Sequence, residues 1–130
     1  GGILMRAMIV DDSRAQRMLL KRAVSPLGFE VVEAENGEDA LTKLDPEDPV
    51  DVMLVDWNMP VMDGLSLVRR VRATRAFADV FVMMVTSESD PKKMARALMV
   101  GADDYLVKPV DGEMIRSKLE QTNALAGRLA

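Results

Sequence analysis

Apolar residues along this chain fall into two alternating patterns. Short apolar runs at Arg6 to Val10, Phe29 to Ala34, Asp51 to Val55, Val80 to Val85 and Asp104 to Val107 are separated by longer stretches in which apolar positions recur every three or four residues. Runs of four to eight residues bounded by turn signals predict strands, and the longer period predicts helices. Repeated strand-helix pairs predict a parallel sheet covered by helices.

Local signals place the helix ends. Ser13, with Gln16 three residues on, reads as a capping box that opens the first helix. Its expected core stripe is Ala15, Leu19, Ala23 and Leu27, with Arg14, Arg17 and Lys21 on the solvent side. Asn36-Gly37 reads as a turn before a second helix that runs to about Leu44 and ends at Asp45-Pro46. Asp63 caps a third helix to about Ala73, with Leu65, Val68 and Val71 facing inward. Asp90-Pro91 starts the fourth, Gly101 stops it, and Asp111 caps a fifth that is expected to reach Leu125.

Polarity orders the strands. The first, third and fourth runs are continuously apolar, as strands covered on both faces must be, whereas Glu30, Glu33, Asp103 and Asp104 mark the second and fifth as edges. With right-handed crossovers, the order 2-1-3-4-5 satisfies this polarity and puts helices on both faces, a flavodoxin-like α/β fold. The switch point then lies between strands one and three, and a ligand site is expected at their carboxyl ends.

Composition narrows the chemistry. With 130 residues, 48% of them hydrophobic and 29% charged, the chain suits one globular domain. The net charge of -4 gives no basic footprint for nucleic acid, and no apolar run is long enough to insert in a membrane. The opening GGILMRAMIV does not read as a secretory leader, and the absence of cysteine fits a cytoplasmic protein. The chain has no histidine, so histidine-ligated metals and imidazole catalysis are excluded, and chemistry must run on carboxylates, hydroxyls and lysine.

Those groups gather at the predicted strand ends. Asp11 and Asp12 follow strand one and Asp56 ends strand three. At 4 Å such carboxylates repel by roughly 4 kcal/mol per pair at an effective dielectric of about 20. A divalent cation relieves this, and an all-oxygen set suits Mg²⁺. Asp12 alone also reads as a helix cap, but a cap does not need carboxylates on two neighbouring strands. Thr86-Ser87 ends strand four and Lys108-Pro109 ends strand five. Singly, the threonine reads as a turn residue and the lysine as solvated; together with the acids they can hold and transfer a phosphoryl group.

The segments "IVDDS", "VDWNMPVMDG", "VTSES" and "YLVKP", in this order and spacing, resemble the receiver domain of bacterial two-component response regulators, with the single-domain chemotaxis regulators as the nearest match. The resemblance covers essentially the whole chain. It implies that Asp56 accepts a phosphoryl group from a histidine kinase or phosphotransfer domain and that the domain promotes its own phosphorylation and dephosphorylation without turning over a separate substrate. It also implies Mg²⁺, for which Mn²⁺ can substitute, bound by Asp12, Asp56 and the Asn58 backbone carbonyl, with Asp11 acting through water. Thr86 and Lys108 would hold phosphoryl oxygens, Thr86 and Tyr105 would form the switch, and Asn58 and Glu88 would tune the rate of phosphoryl loss. The Lys108-Pro109 bond becomes a cis candidate.

Without the resemblance, Tyr105 reads as a sheet-edge residue with its hydroxyl at the surface. A downstream protein is expected to dock on helix 4, strand 5 and helix 5, where Met94, Leu98, Tyr105 and Met114 offer apolar surface, although Met94 and Met114 taken singly read as core.

Two other classes share parts of the pattern. A haloacid dehalogenase-type phosphatase wants an aspartate two residues after its nucleophile, where this chain has Asn58, and a flavodoxin-like FMN carrier wants a phosphate loop where Asp11-Asp12 would repel phosphate. The expected organisation is an N-terminal extension over residues 1–5 and a receiver over residues 6–127. A monomeric, stand-alone regulator is favoured over a receiver cut from a longer protein, because the last helix reads as complete with Gly127 near its end.

Overall fold

The computed structural model describes residues 5–122, 125 and 127–130. Five parallel strands, β1 (Met5–Val10), β2 (Phe29–Ala34), β3 (Val52–Val55), β4 (Phe81–Thr86) and β5 (Asp104–Val107), form one sheet in the order β2-β1-β3-β4-β5. The predicted strand order is borne out. Met5, placed in the extension by its sequence, is the first residue of β1 and is buried.

Side chains alternate across the sheet, as the pleat requires. Met53 and Val55 of β3 join one core cluster with Val68, Val71 and Ala97, while Val52 and Leu54 join the other with Leu20, Val24, Ile115 and Leu119. Helices α2 (Gly37–Lys43), α3 (Gly64–Arg72) and α4 (Pro91–Val100) therefore cover one face, and α1 (Arg14–Val24) and α5 (Gly112–Glu120) the other. Each fully buried Leu or Ile of these cores contributes about 1.5–3 kcal/mol.

The caps follow the sequence closely. Asn36, Asp63, Asp90 and Asp111 each accept a backbone N–H from the first turn of α2, α3, α4 and α5. In α3 the predicted stripe of Leu65, Val68 and Val71 is buried.

The structure corrects three local expectations. The core stripe of α1 is Leu20 and Val24, continued by Leu27 in a 3-10 turn over Ser25–Leu27, whereas Leu19 is 57% exposed and Ala15 is also exposed. Adjacent leucines let either register satisfy the helical period, and packing against Ile115 and Leu119 selects Leu20. The last helix ends at Glu120, because the chain tightens into turns in which Gln121 and Thr122 donate to the carbonyls of Lys118 and Leu119. Residues 123 and 124 of the longer predicted helix lie outside the described residues. Met114 is 38% exposed, while Met94 is half-buried against the core, so of the two methionines that read as core only Met94 packs there.

Candidate functional site

The carboxyl ends of β1, β3, β4 and β5 meet at one edge, and main-chain bonds set their relative heights. Asp56 N–H donates to Val10 O at 2.9 Å, Asp11 N–H to Ala34 O at 3.1 Å and Lys108 N–H to Thr86 O at 2.8 Å. Ladder registers that pair Val10 with Val55 and Thr86 with Val107 thus carry the next residues to a common level.

Asp11, Asp12 and Asp56 each bring one carboxylate oxygen into a group whose members lie within 4.8 Å of one another. Asp11 is buried, Asp56 half-buried and Asp12 exposed. Asp11 Oδ1 accepts Ser13 N–H at 2.9 Å and Oδ2 accepts Lys108 Nζ at 2.7 Å. The same ammonium lies 3.8 Å from Asp56 Oδ2, while Asp56 Oδ1 accepts the Trp57 N–H at 2.8 Å. Three carboxylates and one ammonium leave a formal charge of -2 at the mouth of a cleft of about 470 Å³ that Gln16, Leu19, Ser87 and Pro109 also line. Hard oxygen donors with a net double charge fit a divalent cation such as Mg²⁺.

Burial pushes the Asp56 carboxyl above its ordinary value; the Thr86 hydroxyl and Lys108 pull it back, and Asp11 adds to the rise. Thr86 is fully buried, and its hydroxyl also accepts Glu88 N–H at 3.3 Å. Asn58 is exposed in the loop after Asp56. Gly64 closes that loop: a Cβ there would sit 2.2 Å from the Asp56 carbonyl oxygen, so only glycine lets α3 start so close. The Lys108-Pro109 peptide is cis.

Tyr105 is buried, and its hydroxyl donates to Glu88 O at 2.6 Å, in contrast to the surface hydroxyl expected of a plain sheet-edge tyrosine. Burial, with Glu88 and Asp56 nearby, pushes its pKa to about 12. The Glu88 carboxylate turns to Lys93, 2.8 Å away, whose hydrogen bond holds it below its usual range.

Asp12 does not cap α1. Ser13 does, accepting Gln16 N–H at 3.2 Å, but the capping box is only half formed, because Ser13 N–H goes to Asp11. The sequence also placed Arg17 in solvent; its guanidinium instead donates to Asp11 O at 2.7 Å and to Glu33 at 3.1 Å. Its position one turn inside the helix that follows the acids is the only sequence signal for this.

A family model described as "Response regulator receiver domain" matches residues 7–120. The chain belongs to the response regulator receiver domain family. This receiver is 41% identical over 117 residues to "Chemotaxis protein CheY1" of Helicobacter pylori strain J99, spanning 89% of this chain and 94% of that one. It is 39% identical to a "Chemotaxis protein CheY homolog" of Campylobacter jejuni, over 89% and 90% of the two chains. The solved chemotaxis protein CheY4 of Vibrio cholerae superposes with a TM-score of 0.82 at 33% identity, over 90% of this receiver and 97% of that chain. The phosphatase and flavin-carrier readings fall away with this membership. Among the described residues of the receiver, no helix is long and apolar enough to cross a membrane.

Proposed function

We propose that this receiver is a phosphorylation-driven switch whose phospho-acceptor is Asp56. The observation that carries the reading is the convergence of Asp56 with Asp11, Asp12, Thr86 and Lys108 at one sheet edge. An Asp56 Oδ attacks the phosphorus of a phosphohistidine on a histidine kinase or phosphotransfer domain; the P–N bond breaks, and the leaving imidazole nitrogen keeps the electron pair and takes a proton. Lys108 and the Thr86 hydroxyl neutralise and orient phosphoryl oxygens. Asp11, Asp12, Asp56 and the Asn58 carbonyl would hold Mg²⁺, or Mn²⁺ in its place, and the ion would supply charge neutralisation to the site.

The switch runs through Thr86 and Tyr105. The Thr86 hydroxyl lowers the Asp56 pKa and accepts the Glu88 N–H, and the Glu88 carbonyl receives the Tyr105 hydroxyl, which supports a relay that carries a pull on Thr86 to the tyrosine. Leu98, Met99 and Met114 are 46%, 86% and 38% exposed on α4 and α5, which supports a downstream protein docking there and on β5. Asn58 and Glu88 flank the acceptor as rate-tuning positions, with water as the attacking group when the phosphoryl is lost. The receiver works in the cytoplasm, as a monomer, over residues 5–127, with Met5 inside the domain.

Incubation with acetyl phosphate and Mg²⁺, followed by intact mass measurement, tests this reading. The expected result is one acid-labile phosphoryl group on the parent and none on Asp56→Asn. An equal mass gain in the mutant overturns the assignment of Asp56.

A further inference from the structure

Arg17 sits one turn inside α1 and reaches back toward the end of β1. Its Nη1 donates to the main-chain carbonyl of Asp11 at 2.7 Å, and its Nε donates to Glu33 Oε1 at 3.1 Å. The Arg17 side chain is only 14% exposed. Glu33 is itself fixed, since its residue pairs with Ile9 in the ladder and its carbonyl accepts Lys43 Nζ at 2.7 Å. The guanidinium thus spans a rigid edge strand and the loop that carries the first two acids.

The bond to Asp11 O acts on Asp12. A trans peptide is planar, so fixing the direction of the Asp11 carbonyl fixes the Asp12 nitrogen and Cα at the far side of the same plane. Asp11 does not depend on this, because its N–H is held by Ala34 O and its two carboxylate oxygens by Ser13 and Lys108. Asp12 is the exposed member of the trio, and this peptide sets the Cα from which its carboxylate reaches the group. Groups that orient metal-binding carboxylates matter nearly as much as the ligands themselves.

Charge alone would work in the opposite direction. A guanidinium beside a cation site repels the cation, so by Coulomb's law its removal should tighten binding. Positioning and charge therefore predict opposite signs for the same substitution.

We propose that Arg17 is a positioning residue for the acidic site: anchored on Glu33, it locks the Asp11–Asp12 peptide and holds the Asp12 carboxylate in place for a divalent cation. This rests on the reading of Asp11, Asp12 and Asp56 as the Mg²⁺ site.

Mg²⁺ titration of the whole chain tests it, read by the fluorescence of Trp57, the single tryptophan, which is buried next to Asp56, and independently by calorimetry. Arg17→Gln is expected to bind Mg²⁺ about ten-fold more weakly. Arg17→Lys, which keeps the charge but cannot span both acceptors, should lose less, about three-fold. Adding Arg17→Gln to Asp12→Asn should weaken binding no further, because the aimed group is already gone and only the charge effect remains. Unchanged or tighter binding in folded Arg17→Gln overturns the proposal while leaving the metal site intact. Parent-like binding in both Asp12→Asn and Asp56→Asn removes the metal site itself, and the proposal with it. Should Arg17→Gln not fold, Arg17→Lys and Glu33→Gln decide: weaker binding in either supports the role, and parent affinity in both overturns it.

Discussion

Lys108 Nζ donates to Asp11 Oδ2 at 2.7 Å across 97 residues of chain, joining the end of the last strand to the end of the first. Asp11 is 1% and Lys108 13% exposed, so this ion pair is almost wholly withdrawn from solvent. Removing one member of such a pair strands the other.

Lys108→Met is accordingly expected to destabilise the metal-free protein by about 3 kcal/mol, the usual cost of leaving a buried charge unpaired. Mg²⁺ should recover more stability in this variant than in the parent, because the acidic cluster then has lost its built-in cation. Urea unfolding with and without Mg²⁺ measures both effects.

Asp56→Asn should stabilise the metal-free protein at neutral pH by ~1 kcal/mol, as relief of a strained functional group commonly does. The sign follows from linkage: burial raises the Asp56 pKa in the folded state, so the folded protein binds this proton more tightly than the unfolded chain. Its favourable contribution is complete below the ordinary carboxylate value of 3.8 and is lost as pH rises through the raised folded value. The stabilising effect of the substitution should therefore grow with pH over that window and disappear in acid, as thermal melts across the range will show.

Tyr105, the single tyrosine, should remain a phenol at pH 10 to 11, where an exposed tyrosine is about half or more ionised, because its pKa is pushed to about 12. An ultraviolet pH titration of folded protein reads this directly. Tyr105→Phe, which loses the bond to Glu88 O, should cost about 1 kcal/mol in urea unfolding.

Gly64→Ala drives a methyl group to 2.2 Å from the Asp56 carbonyl oxygen, and backbone cannot move aside as a flexible side chain would. A loss of about 1–3 kcal/mol is expected in chemical denaturation, with weaker Mg²⁺ binding because the displaced residue is Asp56 itself.

The strand order and the helix caps were legible because each rests on a local signal: Val52 to Val55 is uninterrupted, Glu30 and Glu33 mark an edge, and Asp63 and Asp111 cap as aspartates commonly do. The acids were legible for a related reason, since the sheet order alone puts the residues after Val10 and Val55 side by side. What was not legible depends on packing between elements. Leu19 and Leu20 are equivalent to a periodicity reading, and packing against the sheet and α5 distinguishes them. Arg17 reads as solvated because a charge on a helix usually is; its partners are a carbonyl six residues back and a glutamate on another strand. Met114 read as core by ordinary burial preference, but α5 turns Ile115 and Leu119 inward and leaves Met114 38% exposed.

The order β2-β1-β3-β4-β5 also bears on synthesis. The three carboxylates and their sheet neighbours leave the ribosome well before Lys108, which arrives with the outermost strand. A nascent chain that has paired β1 with β3 therefore carries an acidic knot without its internal counter-ion. Docking of β5 brings the single ammonium to that knot and completes the hydrogen-bonded edge in one event, so a product of translation that stops short of β5 keeps all three negative charges uncompensated.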